Sequence, residues 1–232
     1  MSKAVFVTGT GTDVGKTYVT GLLLKALAKH HKNIAYYKAA MSGNVRHPDG
    51  TLIPGDALQV KWMSGIAQSL ESMCPYVYET AVSPHLASKL EGNPVELSVV
   101  KQGFRDLTKT CDYITVEGSG GILCPIRYDE KRLLLEDIVK KLRLPSLLVA
   151  NAGLGTINQV VLTVDYMRHR QLPMKGIILN HFISGDVMQE DNLRMCEELT
   201  GLPVLACVSD HDTELHIDAG VLTGLYEEVA LL

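Results

Sequence analysis

The chain has 232 residues, of which 46% are hydrophobic and 21% are charged, a balance typical of a globular protein and not of a disordered one. Its 22 basic and 26 acidic residues give a net charge of −4, which argues against a general nucleic-acid binder. The five cysteines form no C-x-x-C pair, and no run approaches the roughly 20 apolar residues of a membrane span. We therefore expect a soluble, cytoplasmic protein with reduced thiols and neither a nucleic-acid nor a membrane partner.

Short apolar runs rich in β-branched residues alternate with helical patterns along the chain. The predicted strands are Ala4–Thr8, Ile34–Lys38, Tyr113–Glu117, Ser146–Ala150, Gly176–Asn180 and Val204–Val208. The predicted helices are Lys16–Lys29, Asp56–Met63, Pro84–Glu91, Val95–Thr110, Leu133–Lys141, Thr156–Arg170, Gln189–Thr200 and Ala219–Leu231. Several strands are apolar on both faces, as in a parallel sheet buried between helices. The sequence thus predicts an α/β fold, a single doubly wound and mostly parallel sheet in one domain spanning residues 1–232.

The first predicted strand leads into TGTGTDVGKT, residues 8–17, which differs from the usual phosphate loop of Gly, four residues and Gly-Lys-Ser/Thr. Thr10 occupies the position of the first glycine, and Gly9 comes one residue earlier. A strand before and a helix after this stretch favour a variant phosphate loop over an incidental turn. Lys16 would then reach the β- and γ-phosphates, and the Thr17 hydroxyl would bind Mg²⁺. The nucleotide contacts predicted here are Asp13, Val14, Gly15, Lys16, Thr17 and Tyr18.

The second predicted strand ends at Lys38, with Ser42 shortly after it. A lysine at this position is either a solvated charge or a second cation beside the γ-phosphate. In the following GDALQV stretch, local context favours Asp56 as a helix N-cap.

The third predicted strand ends in VEGSGG, residues 116–121. An acidic residue there can hold Mg²⁺, and a glycine-rich turn lets the backbone approach a ligand. The predicted ligand contacts are Glu117, Gly118, Ser119 and Gly120. Because the carboxyl ends of parallel strands share one rim, this turn should meet the loops 9–17, 38–42, 151–155 and 180–181.

The stretch LGTINQV, residues 154–160, opens a helix after the fourth predicted strand. The backbone N–H groups of Gly155 and Thr156, together with the Asn158 amide, suit a carboxylate at the helix N-terminus. Judged without any wider context, an ordinary helix start with Asn158 on the surface is the favoured interpretation.

Taken together, these stretches resemble the dethiobiotin synthetase family from Val5 to about Val208. The matching pieces, in order, are FVTGTGTDVGKT, YYKAAMSG, GDAL, SPHLAS, VEGSGG, GLGTINQ and ILN. The resemblance implies a ligase of biotin biosynthesis that converts 7,8-diaminononanoate, CO2 and ATP, with Mg²⁺, into dethiobiotin, ADP and phosphate. The steps it implies are a carbamate and a carbamic-phosphoric anhydride. In that family the phosphate loop also has one residue more than usual between its first glycine and the Gly-Lys-Thr.

The resemblance also implies a role for each matching residue. Thr17, Asp56 and Glu117 would surround Mg²⁺, which overrides the N-cap interpretation of Asp56. Lys16, Lys38 and Thr12 would be catalytic, and Ser42 would contact the diamine or its carbamate along with Thr12. Asn180 would read the adenine edge. The adjoining wall of the base site would be Val208, Ser209 and Asp210.

The resemblance further implies a homodimer with shared active sites. Gly155, Thr156 and Asn158 of one subunit would hold the substrate carboxylate in the other. Two departures from the family pattern are Asp13, where many relatives have Glu, and Ser209, where a proline is expected. The substitution at position 209 bears on the choice of nucleotide.

The alternative from another class is a switch ATPase of the partitioning or septum-site type. Its loop carries a signature lysine, and the matching position here is Gly11. The C-terminal GLYEEVALL also lacks the basic amphipathic face of a membrane anchor. A sister amidoligase acting on a larger acid would usually need a glutamine-hydrolysing domain, for which 232 residues leave no room.

Overall fold

A computed structural model describes residues 1–229 and has a central sheet flanked by helices. The strands are β1 (Lys3–Gly9), β2 (Ile34–Lys38), β3 (Val45–Arg46), β4 (Leu52–Ile53), β5 (Tyr113–Gly121), β6 (Pro125–Tyr128), β7 (Arg132–Leu134), β8 (Ser146–Asn151), β9 (Met174–Asn180), β10 (Val204–Val208) and β11 (Glu227–Glu228). The helices are α1 (Lys16–Ala28), α2 (Gly55–Ser64), α3 (Leu70–Met73), α4 (Pro84–Leu90), α5 (Leu97–Thr108), α6 (Leu135–Leu142), α7 (Thr156–His169), α8 (Val187–Thr200) and α9 (Ala219–Gly224).

The central sheet has the strand order β10-β9-β8-β1-β5-β2, and all neighbours on this path are parallel. The chain passes from β1 to β2 on one side and later builds β8, β9 and β10 on the other. The loop after β1 therefore lies at the point where the strand order reverses, which is where open α/β sheets bind ligands.

Helices cover both faces of the sheet, because successive side chains of its strands point to opposite faces and are apolar on both. Val5 and Val7 of β1 pack with α1, α2 and α9, whereas Ala4 and Phe6 pack with α5 and α6. On the other side of β1, the strands β8 and β9 pack against α7 and α8. The predicted doubly wound α/β fold is confirmed.

All six predicted strands are present, and β2 and β10 have the predicted bounds. β5 continues past Glu117 because its glycine-rich end still pairs with β1, through Gly9 and Gly121. The two hairpins β3–β4 and β6–β7 and the short helix α3 were not predicted, since none has a sustained apolar period.

The C-terminal helix prediction, Ala219–Leu231, is wrong beyond Gly224, and its positions 230 and 231 lie outside the described residues. Glu227 and Glu228 instead pair antiparallel with Ala4 and Lys3 of β1. This edge is open because β8 pairs with β1 only from Phe6 onward. Pairing at this edge gives partners to backbone groups of β1 that β8 does not reach.

The described part of the chain contains no helix that is both long and apolar enough to cross a membrane. All five cysteines are free thiols.

Candidate active site

The loop between β1 and α1 has the backbone that its glycines require. Gly15, the N-cap of α1, has a φ of 85°, and a Cβ there would lie 2.0 Å from Asn180 Nδ2. A Cβ at Gly9 would lie 2.8 Å from Val14. No side chain caps α1, so its first N–H groups face the loop, an arrangement that suits a phosphate. The early glycine is thus needed for packing under the loop.

Lys16 folds back over this loop. Its Nζ donates to Gly11 O at 2.7 Å, and the residue is buried. Burial lowers the pKa of Lys16, and the positive charge of Lys38 lowers it further. Lys16 is therefore a buried cation whose hydrogen-bond acceptor in the loop is a neutral carbonyl.

Lys38 has a different environment, because its Nζ lies 2.6 Å from both Asp56 Oδ2 and Glu117 Oε1. Burial acts to lower the pKa of Lys38, but the charges of Glu117 and Asp56 outweigh it and raise the pKa above its ordinary value. Only 5% of the residue is exposed, so the interpretation of Lys38 as a solvated strand-end charge is wrong.

Glu117 uses both of its carboxylate oxygens. Oε1 accepts from Lys38 and, at 2.8 Å, from Thr17 Oγ1, whereas Oε2 accepts from the Tyr36 hydroxyl at 3.1 Å. Asp56 lies in the first turn of α2, whose N-cap is Pro54, so the N-cap interpretation of Asp56 is also wrong.

Thr17, Asp56 and Glu117 fit a hard divalent cation by their chemistry, since all three offer oxygen. The Lys38 ammonium touches both carboxylates, which shows that they already converge on one positive charge. Residues 1–229 contain no group of three or more His, Cys, Asp or Glu side chains that could hold a metal ion. An ion here would accordingly need the Thr17 hydroxyl and phosphate oxygens besides the two carboxylates.

Tyr36 was not singled out from the sequence. Burial, followed by the charge of Glu117, raises the pKa of its phenol well above the usual value, so the phenol stays a donor. Tyr36 and Tyr37 are adjacent and look alike in the sequence. Because strand residues alternate between faces, Tyr36 shares the face of Lys38, two residues later, and Lys38 lies opposite Glu117. That spacing is the sequence signal that distinguishes Tyr36 from Tyr37.

The hydroxyls of the predicted substrate contacts Ser42 and Thr12 lie on the same rim as that of Ser119, a predicted nucleotide contact. Ser42 Oγ donates to Val82 O at 2.5 Å, and Ser119 Oγ donates to Ala40 O at 2.7 Å. Thr12 Oγ1 lies 3.7 Å from the position that a Cβ on Gly120 would take. The loops after β1, β2 and β5 are therefore brought together.

Gly118, also predicted at this rim, lies against the core. A Cβ there would approach Leu135 to 2.7 Å and Phe6 to 2.8 Å. A side chain at this position would clash with both of these core residues unless one of them or the end of β5 shifted.

At the far end of the loop, Asn180 connects β9 to the phosphate loop. Its Nδ2 donates to Val14 O at 3.1 Å, and only 2% of the residue is exposed. One amide hydrogen is thus engaged with the loop, which leaves the second hydrogen and the carbonyl oxygen for a base.

The wall beyond Asn180 is held by its own hydrogen bonds. Ser209 Oγ donates to Phe182 O at 2.7 Å, and Asp210 Oδ1 lies 2.5 Å from His181 Nδ1. Val208 is buried in the core, and the Tyr18 hydroxyl donates to Asp212 O on the same wall. Ser209, which stands where a proline is expected, therefore links this segment to the segment after β9 through its hydroxyl.

A cavity of about 410 Å³ lies between residues 10–14 of the loop and residues 151–159 around the start of α7. Thr156 lines it and is 2% exposed, and its Oγ1 has no hydrogen-bond partner within residues 1–229. Asn158 and Gly155 are exposed, as is Leu154, at 91%.

Comparison with known proteins identifies the relatives of the chain. Residues 3–213 match the family model described as an AAA domain. The chain is 48% identical over 211 residues to the ATP-dependent dethiobiotin synthetase BioD of Brachyspira hyodysenteriae, a match that covers 90% of this chain and 93% of the relative. It is 42% identical over 229 residues to the enzyme of the same name from Clostridium botulinum strain Loch Maree, with 99% and 100% coverage.

Among solved structures, the septum site-determining protein MinD of Pyrococcus horikoshii, complexed with Mg-ADP, is similar with a TM-score of 0.54. It is 17% identical, and the match covers 97% of this chain and 87% of that one. A ParA family ATPase from Chlorobium tepidum also has a TM-score of 0.54, at 13% identity, with 91% and 84% coverage. At these identities the likeness shows the fold alone.

Proposed function

This chain belongs to the ATP-dependent dethiobiotin synthetase family, and we propose that it closes the ureido ring of dethiobiotin from 7,8-diaminononanoate, CO2 and ATP. The observation that carries this function is the pair of buried cations, Lys16 and Lys38, on one rim beside two carboxylates. Phosphoryl transfer requires positioning and charge stabilisation more than a protein nucleophile.

The reaction has three steps. One amine of the substrate attacks CO2, forms a carbon–nitrogen bond and releases a proton, which gives a carbamate. A carbamate oxygen then attacks the γ-phosphorus, and ADP leaves. The second amine finally attacks the carbonyl carbon of the anhydride and loses a proton, phosphate departs, and the ring is closed.

The two lysines would stabilise charge in these steps. Lys38 is held as a cation by Glu117 and Asp56, which suits it to orient the carbamate and the transferring phosphoryl group. Lys16 would exchange the neutral Gly11 carbonyl for a phosphate oxygen, a stronger partner for its charge. Thr12 and Ser42 would contact the diamine from the same rim.

We propose that Thr17, Asp56 and Glu117 hold Mg²⁺, as their oxygen donors allow. When bound, the ion would neutralise charge on the β- and γ-phosphates. Asn180 would read adenine with the amide groups that Val14 leaves free, beside a wall of Val208, Ser209 and Asp210.

We also propose that the chain works as one catalytic domain within a homodimer. One sheet carries every predicted site loop, which supports a single domain. The exposed Leu154 beside the start of α7 and the unpartnered Thr156 hydroxyl support a shared site. The start of α7 in one subunit, with Gly155 and Asn158, would hold the carboxylate of the diamine bound in the other.

The direct test supplies purified protein with diaminononanoate, ¹³C-bicarbonate, Mg²⁺ and ATP. We expect dethiobiotin that carries one labelled carbon, with one phosphate released for each ring formed. ATP hydrolysis without a labelled ring product would refute the function.

Sedimentation and the variant Asn158→Ala test the dimer. The variant should weaken use of the diamine acid and leave use of a diamine without the acid nearly unchanged, because the lost amide contacts only the carboxylate. A fully active monomer would rule out the shared site.

A further inference from the structure

Tyr36 has no role in the reaction described above, yet its phenol contacts the carboxylate of Glu117. The hydroxyl donates to Oε2 at 3.1 Å, while Lys38 and Thr17 donate to Oε1 at 2.6 and 2.8 Å. Within residues 1–229, Tyr36 supplies the hydrogen bond to Oε2. One carboxylate oxygen thus accepts from the phenol, and the other accepts from Lys38 and Thr17.

Both groups lie out of contact with water. Tyr36 is 0% exposed and Glu117 is 1% exposed. A buried carboxylate oxygen that loses its donor is left unsatisfied at a substantial cost in free energy. The Glu117 carboxylate would then turn to share its remaining donors between both oxygens. The phenol therefore fixes the orientation of the carboxylate, with one oxygen toward Lys38 and Thr17 and the other toward Tyr36.

The phenol is fixed because the backbone of Tyr36 is also held. β2 is the edge strand of the sheet, and the Gln68 side chain bonds to it in place of a further strand. Gln68 Oε1 accepts from the Tyr36 N–H at 2.8 Å, and Gln68 Nε2 donates to Tyr36 O at 3.0 Å. Tyr36 is thus held at its backbone by Gln68 and at its hydroxyl by Glu117.

We propose that Tyr36 is a positioning residue that fixes the Glu117 carboxylate for the divalent cation, an inference that rests on the proposed function because it takes Glu117 as a cation ligand. Tyr36 does not touch the substrate or the ion. By occupying one carboxylate oxygen, it fixes the plane of the carboxylate and holds the other oxygen toward Thr17. Groups that orient a ligand in this way typically contribute about 10- to 100-fold to metal affinity.

The test compares two isosteric variants of adjacent tyrosines. Tyr37 is as buried as Tyr36, but its hydroxyl donates to Val100 O at 2.8 Å on the opposite face of the sheet. Tyr36→Phe and Tyr37→Phe therefore each remove one buried phenol hydrogen bond, and only the first reaches Glu117. The readout is Mn²⁺ binding, followed by electron paramagnetic resonance in the presence of a non-hydrolysable ATP analogue.

We expect Tyr36→Phe to bind Mn²⁺ about tenfold more weakly than the unaltered protein, and Tyr37→Phe to bind it unchanged. Equal Mn²⁺ binding by the two variants would overturn the proposal. In a Glu117→Gln background, Tyr36→Phe should have no further effect, because the phenol acts through the carboxylate. Additive losses in that background would also overturn it.

If Tyr36→Phe does not fold, Gln68→Met provides the second variant, since it releases the backbone of Tyr36 and leaves the phenol in place. Mn²⁺ binding should weaken in the same direction, and unchanged binding would count against the proposal. The readout does not require ring closure. Failure of the proposed function would appear as absence of labelled dethiobiotin from the unaltered protein, independently of how the tyrosine variants bind Mn²⁺.

Discussion

Lys16 and Lys38 lie on the same rim of the sheet but in opposite electrostatic environments. Lys16 donates to the neutral carbonyl of Gly11, and burial lowers its pKa. Lys38 lies between Asp56 and Glu117, whose charges overcome its burial and raise its pKa. The pKa values of two lysines in one site are thus shifted in opposite directions.

The difference indicates a division of labour. A lysine with only a neutral partner gains most when an anion arrives, so Lys16 is suited to receive phosphate. A lysine already paired with two carboxylates keeps its charge whether or not a ligand is present, so Lys38 is suited to supply a fixed positive charge to the carbamate and the transferring phosphoryl group.

The largest effects should follow loss of either lysine. Lys16→Ala and Lys38→Ala should each lower kcat by about a hundredfold, since each removes a preorganised charge from the transition state. Only Lys38→Ala should also lower the free energy of unfolding, by about 3 kcal/mol, because it leaves the buried Glu117 without its cation. Steady-state kinetics and denaturant titration measure both quantities. Near-native turnover in either variant, or equal stability losses, would break the comparison.

Glu117→Gln should come next, because it removes one of the two charges that hold Lys38. We expect the Mg²⁺ concentration for half-maximal activity to rise about tenfold, since a ligand oxygen loses its negative charge. Activity measured across a Mg²⁺ titration tests this, with Glu136→Gln as a control, a buried glutamate bonded to Arg170 away from the site. Full activity in excess chelator would rule out the proposed metal site.

Asn180→Ala should disturb the phosphate loop that carries Lys16 and leave the ion pairs of Lys38 intact. The variant removes the hydrogen bond to Val14 O and the contacts proposed for adenine, each a neutral hydrogen bond worth about 1 kcal/mol. The ratio of kcat/KM for ATP to that for other triphosphates should therefore fall several-fold, roughly as one such bond predicts, with less change in kcat. Unaltered protein that already uses CTP or GTP as readily as ATP would contradict the proposed role of Asn180.

The smallest effect should be in the alkaline pH profile. Because the pKa of Lys16 is lowered, kcat/KM for ATP should be full at lower pH and fall as pH rises through that pKa, below the ordinary lysine value of 10.5. Lys38 keeps its proton over this range, because its pKa is raised. Lys16→Arg should remove the decline, since arginine stays charged. A decline that persists in Lys16→Arg would assign it to another group.

Much of the site could be predicted locally. The strand, the glycines and Lys16-Thr17 are consecutive in the chain, so their pattern alone predicts a phosphate loop, and the structure has that strand, turn and helix. By contrast, the local context of Asp56 led to the wrong N-cap assignment, because its partner Lys38 lies on β2, 18 residues earlier in the chain. The cation roles of Thr17, Asp56 and Glu117 remain predictions.

The sequence by itself determined the alternation of strands and helices, the phosphate loop and the family, because apolar period, glycine placement and motif order are properties of short stretches. Only the tertiary structure decided that β2 pairs with β5, which brings Lys38 and Tyr36 to Glu117, and that Glu227–Glu228 joins the sheet. These outcomes depend on the register between distant strands and on which backbone edges stay open. The local sequence specifies the alternation of side chains along β2 but not the strand with which β2 pairs or the register of that pairing.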